Sequence, residues 1–402
     1  MGEAAQNVVK SRRVFYIPGY DPIHPRRYRE LYRKEGAAQA GISGYEIALS
    51  AKQGDGPYGW HVEGQIEEGV TQADFEVLIW SDIVRDSMAQ GIAATYMQLA
   101  RTAWTYIASG ALGRLMKLRK GPVIAALYPV VFLLVQLIVA LLAAYGLGQF
   151  LAVWLPGWTA WAGLAIVPFL LNWFRKKDNK LFAYYLMHDY AYSAQSKGAN
   201  PPELEARMAE FGDRIAEALK EDVDEALVIG HSSGAHLAVS ILADLIREDR
   251  VPEDGPELSF LSLGQVVPMV SFLKDAHRLR ADLKFLSTQG VTWVDVTAPG
   301  DGCAFALCDP VSVSGVAPET GKRWPLVLSA AFTQTLSPER WKELRWRFFR
   351  LHFQYLCAFD VPGDYDYFRI TAGPKTLGAR FEGRKPSASR IERAVNKFTE
   401  VA

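Results

Sequence analysis

Residues 121–174 contain no Asp, Glu, Lys, Arg or His, in a chain of 402 residues that carries 44 basic and 44 acidic side chains. This gap constrains the fold more than any other feature, because a helix of a water-soluble protein keeps charge on its outward face. A membrane-crossing helix needs about 20 apolar residues, so the block is long enough for two. Residues 123–145 are dense in Leu, Val, Ile and Ala, and residues 158–174 are shorter but still apolar. Gly146-Leu147-Gly148 and then Pro156-Gly157 read as the turn between them. Trp154, Trp158 and Trp161 lie around that turn and suit a membrane–water boundary. Basic residues flank the block: Arg114, Lys117, Arg119 and Lys120 before it, Arg175, Lys176, Lys177 and Lys180 after it. Positive flanks face the cytoplasm. The expectation is a two-helix transmembrane hairpin over 121–174, a two-span membrane protein whose soluble part faces the cytoplasm, with the lipid bilayer as partner. The competing readings are a buried helix pair or cap in a water-soluble protein, and a re-entrant hairpin kinked at Pro129 and Pro168.

A net charge of zero gives no basis for nucleic-acid binding. Three cysteines, Cys303, Cys308 and Cys357, make no disulfide framework and fit a reducing compartment. The Cys303-x4-Cys308 spacing lacks the further ligands of a zinc site, so the cysteines read as small buried hydrophobes and no metal is expected. Residues 1–13 are polar and show no signal peptide.

Outside the charge-free block, apolar runs alternate with amphipathic ones. Strands are expected at 12–17 (RRVFYI), 45–50, 75–80, 226–229, 258–263 and 291–296, and helices at 81–118, 202–220, 235–247 and 337–351. Strands alternating with helices imply a mostly parallel α/β sheet flanked by helices. The expected organisation is one discontinuous domain, 12–120 and 178–383, interrupted by the hairpin. A tail at 384–402 follows, expected to be partly loose like residues 1–11.

One motif carries chemistry. Residues 228–236 read VIGHSSGAH. An apolar run enters the Gly-x-Ser-x-Gly pattern and a helical pattern leaves it. This is the context in which a serine sits on a tight strand-to-helix turn with its hydroxyl projecting. Gly230 and Gly234 leave room around Ser232, and the helix N-terminus offers N–H groups to a developing oxyanion. The bland alternative is a plain turn in which the glycines serve packing.

With this motif, FYIPGYDP at 15–22 and a Ser–acid–His order along the chain, the sequence resembles the α/β-hydrolases of the lipase and esterase group. The resemblance covers 12–80 and 201–373, with the hairpin as an insertion. It implies a Ser-His-Asp triad, in which a serine needs a base and the base an orienting acid. Asp301 is the favoured acid, just past the strand in VTWVDVTAPGDG, with Asp309 and Asp295 as alternatives. His352 is the favoured base, as the one histidine downstream of Asp301. His277 reads as exposed, His24 and His61 precede the serine, His231 should point away from it, and His236 lies a turn into the helix. The oxyanion hole would use the backbone N–H groups of Ser233 and Tyr20, although Pro18 stands where lipases of this type carry histidine. The function expected is a cytoplasm-facing serine hydrolase, free of cofactors, acting on a lipid or other small acyl ester. The rival expectations are a catalytically silent α/β-hydrolase-fold membrane scaffold and, with little support, a transporter component.

Overall fold

The computed structural model describes residues 8–20, 24–83, 91–178 and 183–402. Asp21, Pro22 and Lys180, and part of the helix expected at 81–118, lie outside the described residues.

Eight strands form one sheet: β1 (Ser11–Ile17), β2 (Glu46–Ala51), β3 (Gly59–Ile66), β4 (Gly69–Val77), β5 (Glu225–His231), β6 (Glu257–Leu263), β7 (Thr292–Thr297) and β8 (Leu326–Ser329). Their spatial order is β2-β3-β4-β1-β5-β6-β7-β8. β2, β3 and β4 pair antiparallel, and every pairing from β4 through β1 to β8 is parallel. The hydrophobic pattern follows this difference. β5 is buried along its whole length, as a parallel strand covered on both faces must be, whereas β3 alternates buried and exposed positions. β3 and β8 were not anticipated. Gly59 and Gly64 dilute the apolar alternation of β3, and β8 has four residues.

Two apolar cores, one on each face, sandwich the sheet. Helices Pro202–Ala218, Gly234–Arg247 and His277–Leu286 cover one, and Arg26–Ser43 together with the segment after β8 covers the other. Buried charge is paired. Arg12 meets Glu225 at 2.6 Å in the sheet interior, and Arg13 meets Glu76 at 2.7 Å.

The charge-free block forms two antiparallel arms. The first is one helix, Lys120–Trp154. The second is Gly157–Lys176, composed of a 3-10 segment, Gly157–Ala165, and an α-helix, Ile166–Lys176. Both are long and apolar enough to cross a membrane, with mean hydropathies of 2.6 and 1.2. The expected turn at Gly146-Leu147-Gly148 is instead inside the first helix, and the chain reverses at Leu155-Pro156. The reason is close packing. A Cβ on Gly148 would lie 2.4 Å from the Ala160 carbonyl oxygen, and one on Gly163 2.2 Å from that of Ala144. Small residues here let the two backbones touch.

Two further expectations are corrected. The helix expected at 337–351 is two, Pro338–Leu344 and Phe348–His352, because Arg347 leaves the helical region at φ −102°, ψ 66°. Residues 384–402 are laid against the domain rather than loose. Ile391 exchanges backbone hydrogen bonds with Leu307 and Asp309, Val395 N–H bonds the Val313 carbonyl, and the Arg280 Nε donates to the Glu400 carbonyl.

Candidate active site

β5 ends at His231, and the helix Gly234–Arg247 begins three residues later. Ser232 makes the turn at φ +56°, in the left-handed region that a residue with a Cβ enters at a cost of about 1–2 kcal/mol. Three glycines make that geometry possible. A Cβ on Gly230 would lie 2.6 Å from Ala235 Cα, and one on Gly234 2.1 Å from the Ile17 carbonyl oxygen. A Cβ on Gly19 would lie 2.8 Å from Ser232 Cβ and 3.3 Å from its Oγ. The Pro18-Gly19-Tyr20 turn therefore sits directly against the serine. Trp80 holds it there by donating its indole N–H to the Pro18 carbonyl at 2.9 Å. Ser232 N–H is tied to the Leu263 carbonyl, while Ser233 opens the helix, where first-turn N–H groups have no intrahelical acceptor.

β7 delivers the acid loop. Asp301 is 2 % exposed, and its Oδ2 accepts from His352 Nδ1 at 2.7 Å. Tyr355 Oη donates to the same oxygen at 3.0 Å, and Cys303 N–H donates to Oδ1 at 2.8 Å. Burial by itself would raise the Asp301 pKa. The adjacent His352 and the donors outweigh it and hold the carboxyl below its usual range. Asp301 is thus a carboxylate with its acceptor capacity directed at one imidazole.

The other candidate acids are occupied elsewhere. Asp309 caps a short helix through Val311 and Ser312 N–H and pairs with Lys322. Asp295 accepts from Ser262 Oγ at 2.6 Å inside the sheet, and burial pushes its pKa up to about 8.

His352 ends the short helix Phe348–His352 and is 6 % exposed. With Nδ1 on Asp301, its Nε2 has no hydrogen-bond partner among the described residues. His352 and Ser232 line one cavity of about 130 Å³. Tyr20, Ser233 and His236 also line it, with Trp80 and Tyr106 among the aromatic walls. Ser232 Oγ and His352 Nε2 are not hydrogen-bonded, and such bonds often tighten only around substrate.

His231 points away from the serine, as the turn requires. Its Nε2 lies 3.1 Å from the His352 carbonyl and its Nδ1 3.2 Å from Tyr16 Oη. A carbonyl only accepts, so Nε2 carries the proton and Nδ1 accepts from the tyrosine. Burial lowers the His231 pKa to about 3, which keeps this bridge neutral. Its ring also stacks on His352 at 4.9 Å. His231 therefore braces His352 by its backbone. His236 is buried, with its pKa lowered by burial to about 4.

Two supporting residues were missed in the sequence. Tyr355 Oη receives the Ala298 N–H at 3.0 Å and donates to Asp301, linking the end of β7 to the acid. Its position three residues past His352 was the available signal. Gly264, at φ +54°, leaves room for His352: a Cβ there would lie 2.7 Å from the Tyr355 ring and 3.0 Å from His352 Cε1.

Asp301, Cys303 and His352 offer ligand atoms within 4.8 Å of one another and are the one such group among the described residues. The carboxylate and Nδ1 already satisfy each other, and burial raises the Cys303 thiol pKa well above its usual value. The arrangement suits proton transfer rather than a cation. His277, which was expected to be exposed, is half-buried at a helix start, and His61 pairs with Asp74 on the antiparallel side of the sheet. The chain matches no protein-family model, no curated protein and no solved structure.

Proposed function

We propose that the chain is a membrane-anchored serine hydrolase of the α/β-hydrolase kind that cleaves a lipid or other apolar acyl ester. Ser232 Oγ attacks the ester carbonyl as His352 Nε2 takes its proton, and Asp301 stabilises the imidazolium that forms. The N–H groups of Ser233 and Tyr20 stabilise the oxyanion. The carbon–oxygen bond to the alcohol then breaks, and His352 hands the proton to the departing alcohol. Water attacks the acyl-enzyme through the same base, releasing the acid and restoring the serine hydroxyl.

The observation that carries this reading is the buried Asp301–His352 pair, whose unpartnered Nε2 shares a cavity with a serine on a left-handed turn. Membrane anchoring rests on the two apolar arms, of which only 22 % and 11 % of the most apolar window is buried. A core helix of a water-soluble protein would be mostly covered. The basic residues at both bases of the hairpin favour a cytoplasmic active site.

The test is labelling by a fluorophosphonate probe. Wild type should label and Ser232→Ala should not, with the protein retained in membranes through carbonate extraction. The absence of a Ser232–His352 hydrogen bond favours one rival, a silent scaffold of the same fold. An unlabelled wild type would establish that rival in its place.

A further inference from the structure

Helix Ile92–Ala108 buries polar side chains beside Leu99 and turns large apolar ones outward. Thr95, Gln98, Thr102 and Tyr106 are buried, at 1 %, 7 %, 6 % and 6 % exposure, whereas Met97, Trp104 and Ile107 stand out at 57 %, 73 % and 61 %. In water the apolar face of a helix turns inward. An apolar face turned outward belongs against lipid or against another protein.

The position of this helix selects between them. It packs along helix Ala183–Gln195 and touches the long apolar helix Lys120–Trp154 at Leu133: Tyr96 Oη donates to the Leu133 carbonyl at 2.9 Å, and Leu99 packs with Leu133. The long helix carries its own exposed apolar stripe from Ile124 through Val131 and Ile138 to Val153. At 1.5 Å per residue that stripe is about 44 Å long. It exceeds the roughly 30 Å hydrocarbon core and matches the 40–45 Å of a bilayer with its headgroups. Its lower end therefore reaches headgroup depth, and helix 92–108 meets the long helix at Leu133, within its lower half.

The active-site cavity lies on this seam. Its wall includes Tyr106 from helix 92–108, and Pro122 and Ala125 from the foot of the long helix. The foot also abuts the acid loop. A Cβ on Gly121 would lie 3.2 Å from Gly302 Cα, and Arg119 Nε donates to the Ala306 carbonyl at 2.8 Å. The ester bonds of glycerolipids lie at the boundary between headgroups and acyl chains, the same depth.

We infer that the outward face of helix 92–108 is embedded in the bilayer leaflet, with its C-terminal end at headgroup depth, and that the cavity takes its ester laterally from that leaflet, between this helix and the foot of the long helix. This rests on the membrane-anchored hydrolase reading. It makes the substrate a glycerolipid-type ester presented by the bilayer rather than one dissolved in water. Arg101, on the outer face, reaches headgroup phosphates along its apolar stem.

The test uses the full chain in phosphatidylcholine vesicles, with Ile107→Cys carrying an environment-sensitive dye and the unsubstituted protein, treated alike, as baseline. Quenching by lipid with a nitroxide just below the headgroup, and not by aqueous iodide, is expected. Quenching by iodide alone overturns the proposal. So does protection from both quenchers that is lost on dilution in detergent, the sign of a second copy on this face.

Activity provides the second arm. Met97→Glu/Ile107→Glu, which touches no wall of the cavity, should lower turnover of a bilayer-resident ester at least tenfold and leave a water-soluble ester within twofold. Equal effects on both esters overturn lateral entry. If wild type cleaves neither ester, the hydrolase reading fails by itself and the quenching arm still decides the embedding.

Discussion

Replacing Asp301 by Asn changes one atom, and the hydrogen bonds around that atom determine the outcome. Oδ1 accepts from Cys303 N–H at 2.8 Å, and Oδ2 accepts from His352 Nδ1 at 2.7 Å and Tyr355 Oη at 3.0 Å. The new amide group has two possible orientations. With its NH2 on the Oδ1 side, it opposes the Cys303 N–H, a donor that cannot turn away. With its NH2 on the Oδ2 side, it faces His352 Nδ1, and the imidazole accommodates it by moving its proton to Nε2. The second orientation is favoured, because a buried donor–donor clash costs about 1–3 kcal/mol, whereas a tautomer change costs little. An Nε2 that already holds a proton cannot take one from Ser232. The loss expected for a wrong-tautomer base is about 10⁴-fold in turnover, equivalent to about 5.5 kcal/mol at 1.36 kcal/mol per decade. Side-chain volume is conserved, so the protein should unfold within a few degrees of wild type. The assays are the ester turnover and fluorophosphonate labelling rates of purified Asp301→Asn in detergent micelles, alongside its melting curve. A variant that keeps more than a tenth of wild-type activity while folding normally would refute the assignment of Asp301 as the orienting acid.

Three further outcomes follow from the same geometry. Gly264→Ala should reduce turnover strongly and cost about 2–4 kcal/mol, since its Cβ would press on Tyr355 and His352 at a left-handed position; turnover and chemical denaturation read both effects. Glu225→Ala should destabilise by about 3–5 kcal/mol, because it strands the buried Arg12 guanidinium and the Leu377 N–H; a loss below 1 kcal/mol by denaturant titration would contradict that. Stability should also fall in mild acid. The buried His231 and His236 have pKa values lowered to about 3 and about 4, so below pH 6.5 the unfolded chain binds protons that the folded one refuses. Each should remove about 1.4 kcal/mol per pH unit between pH 6.5 and its folded pKa; His188, lowered to about 4, adds to the loss and Asp295, raised to about 8, opposes it, so His236→Phe, if tolerated, should lower the slope of unfolding free energy against pH from 6.5 to 4.5 by about 1.4 kcal/mol per pH unit.

Much of the candidate site was legible because its parts are short and local. The turn at Ser232 is written as glycine, serine and glycine between an apolar strand and an apolar helix. Asp301 follows a strand end, and one histidine lies beyond it. What could not be read locally was support from distant positions. Tyr355 acts through Asp301, fifty-four residues earlier. His231 acts through a backbone carbonyl 121 residues later. Gly264 matters only because His352 packs against it. Elements broke the expected boundaries for similar reasons. The helix expected at 337–351 is divided by the conformation at Arg347, and of the residues expected to turn the hairpin Pro156-Gly157 does so while Gly148 lies in the contact seam, because Ala160 meets it from the other arm.

Taken alone, the sequence determined the alternation of strands and helices, the charge-free block and the presence of a strained serine. Each follows from periodicity, charge or steric demand within a few neighbouring residues. The tertiary structure decided which of three aspartates meets the histidine, how the strands order across the sheet, and that the cavity is walled by the foot of the apolar hairpin. Those are distances between residues remote along the chain. They are set by packing and by the pairing of buried polar groups, and no local pattern encodes them.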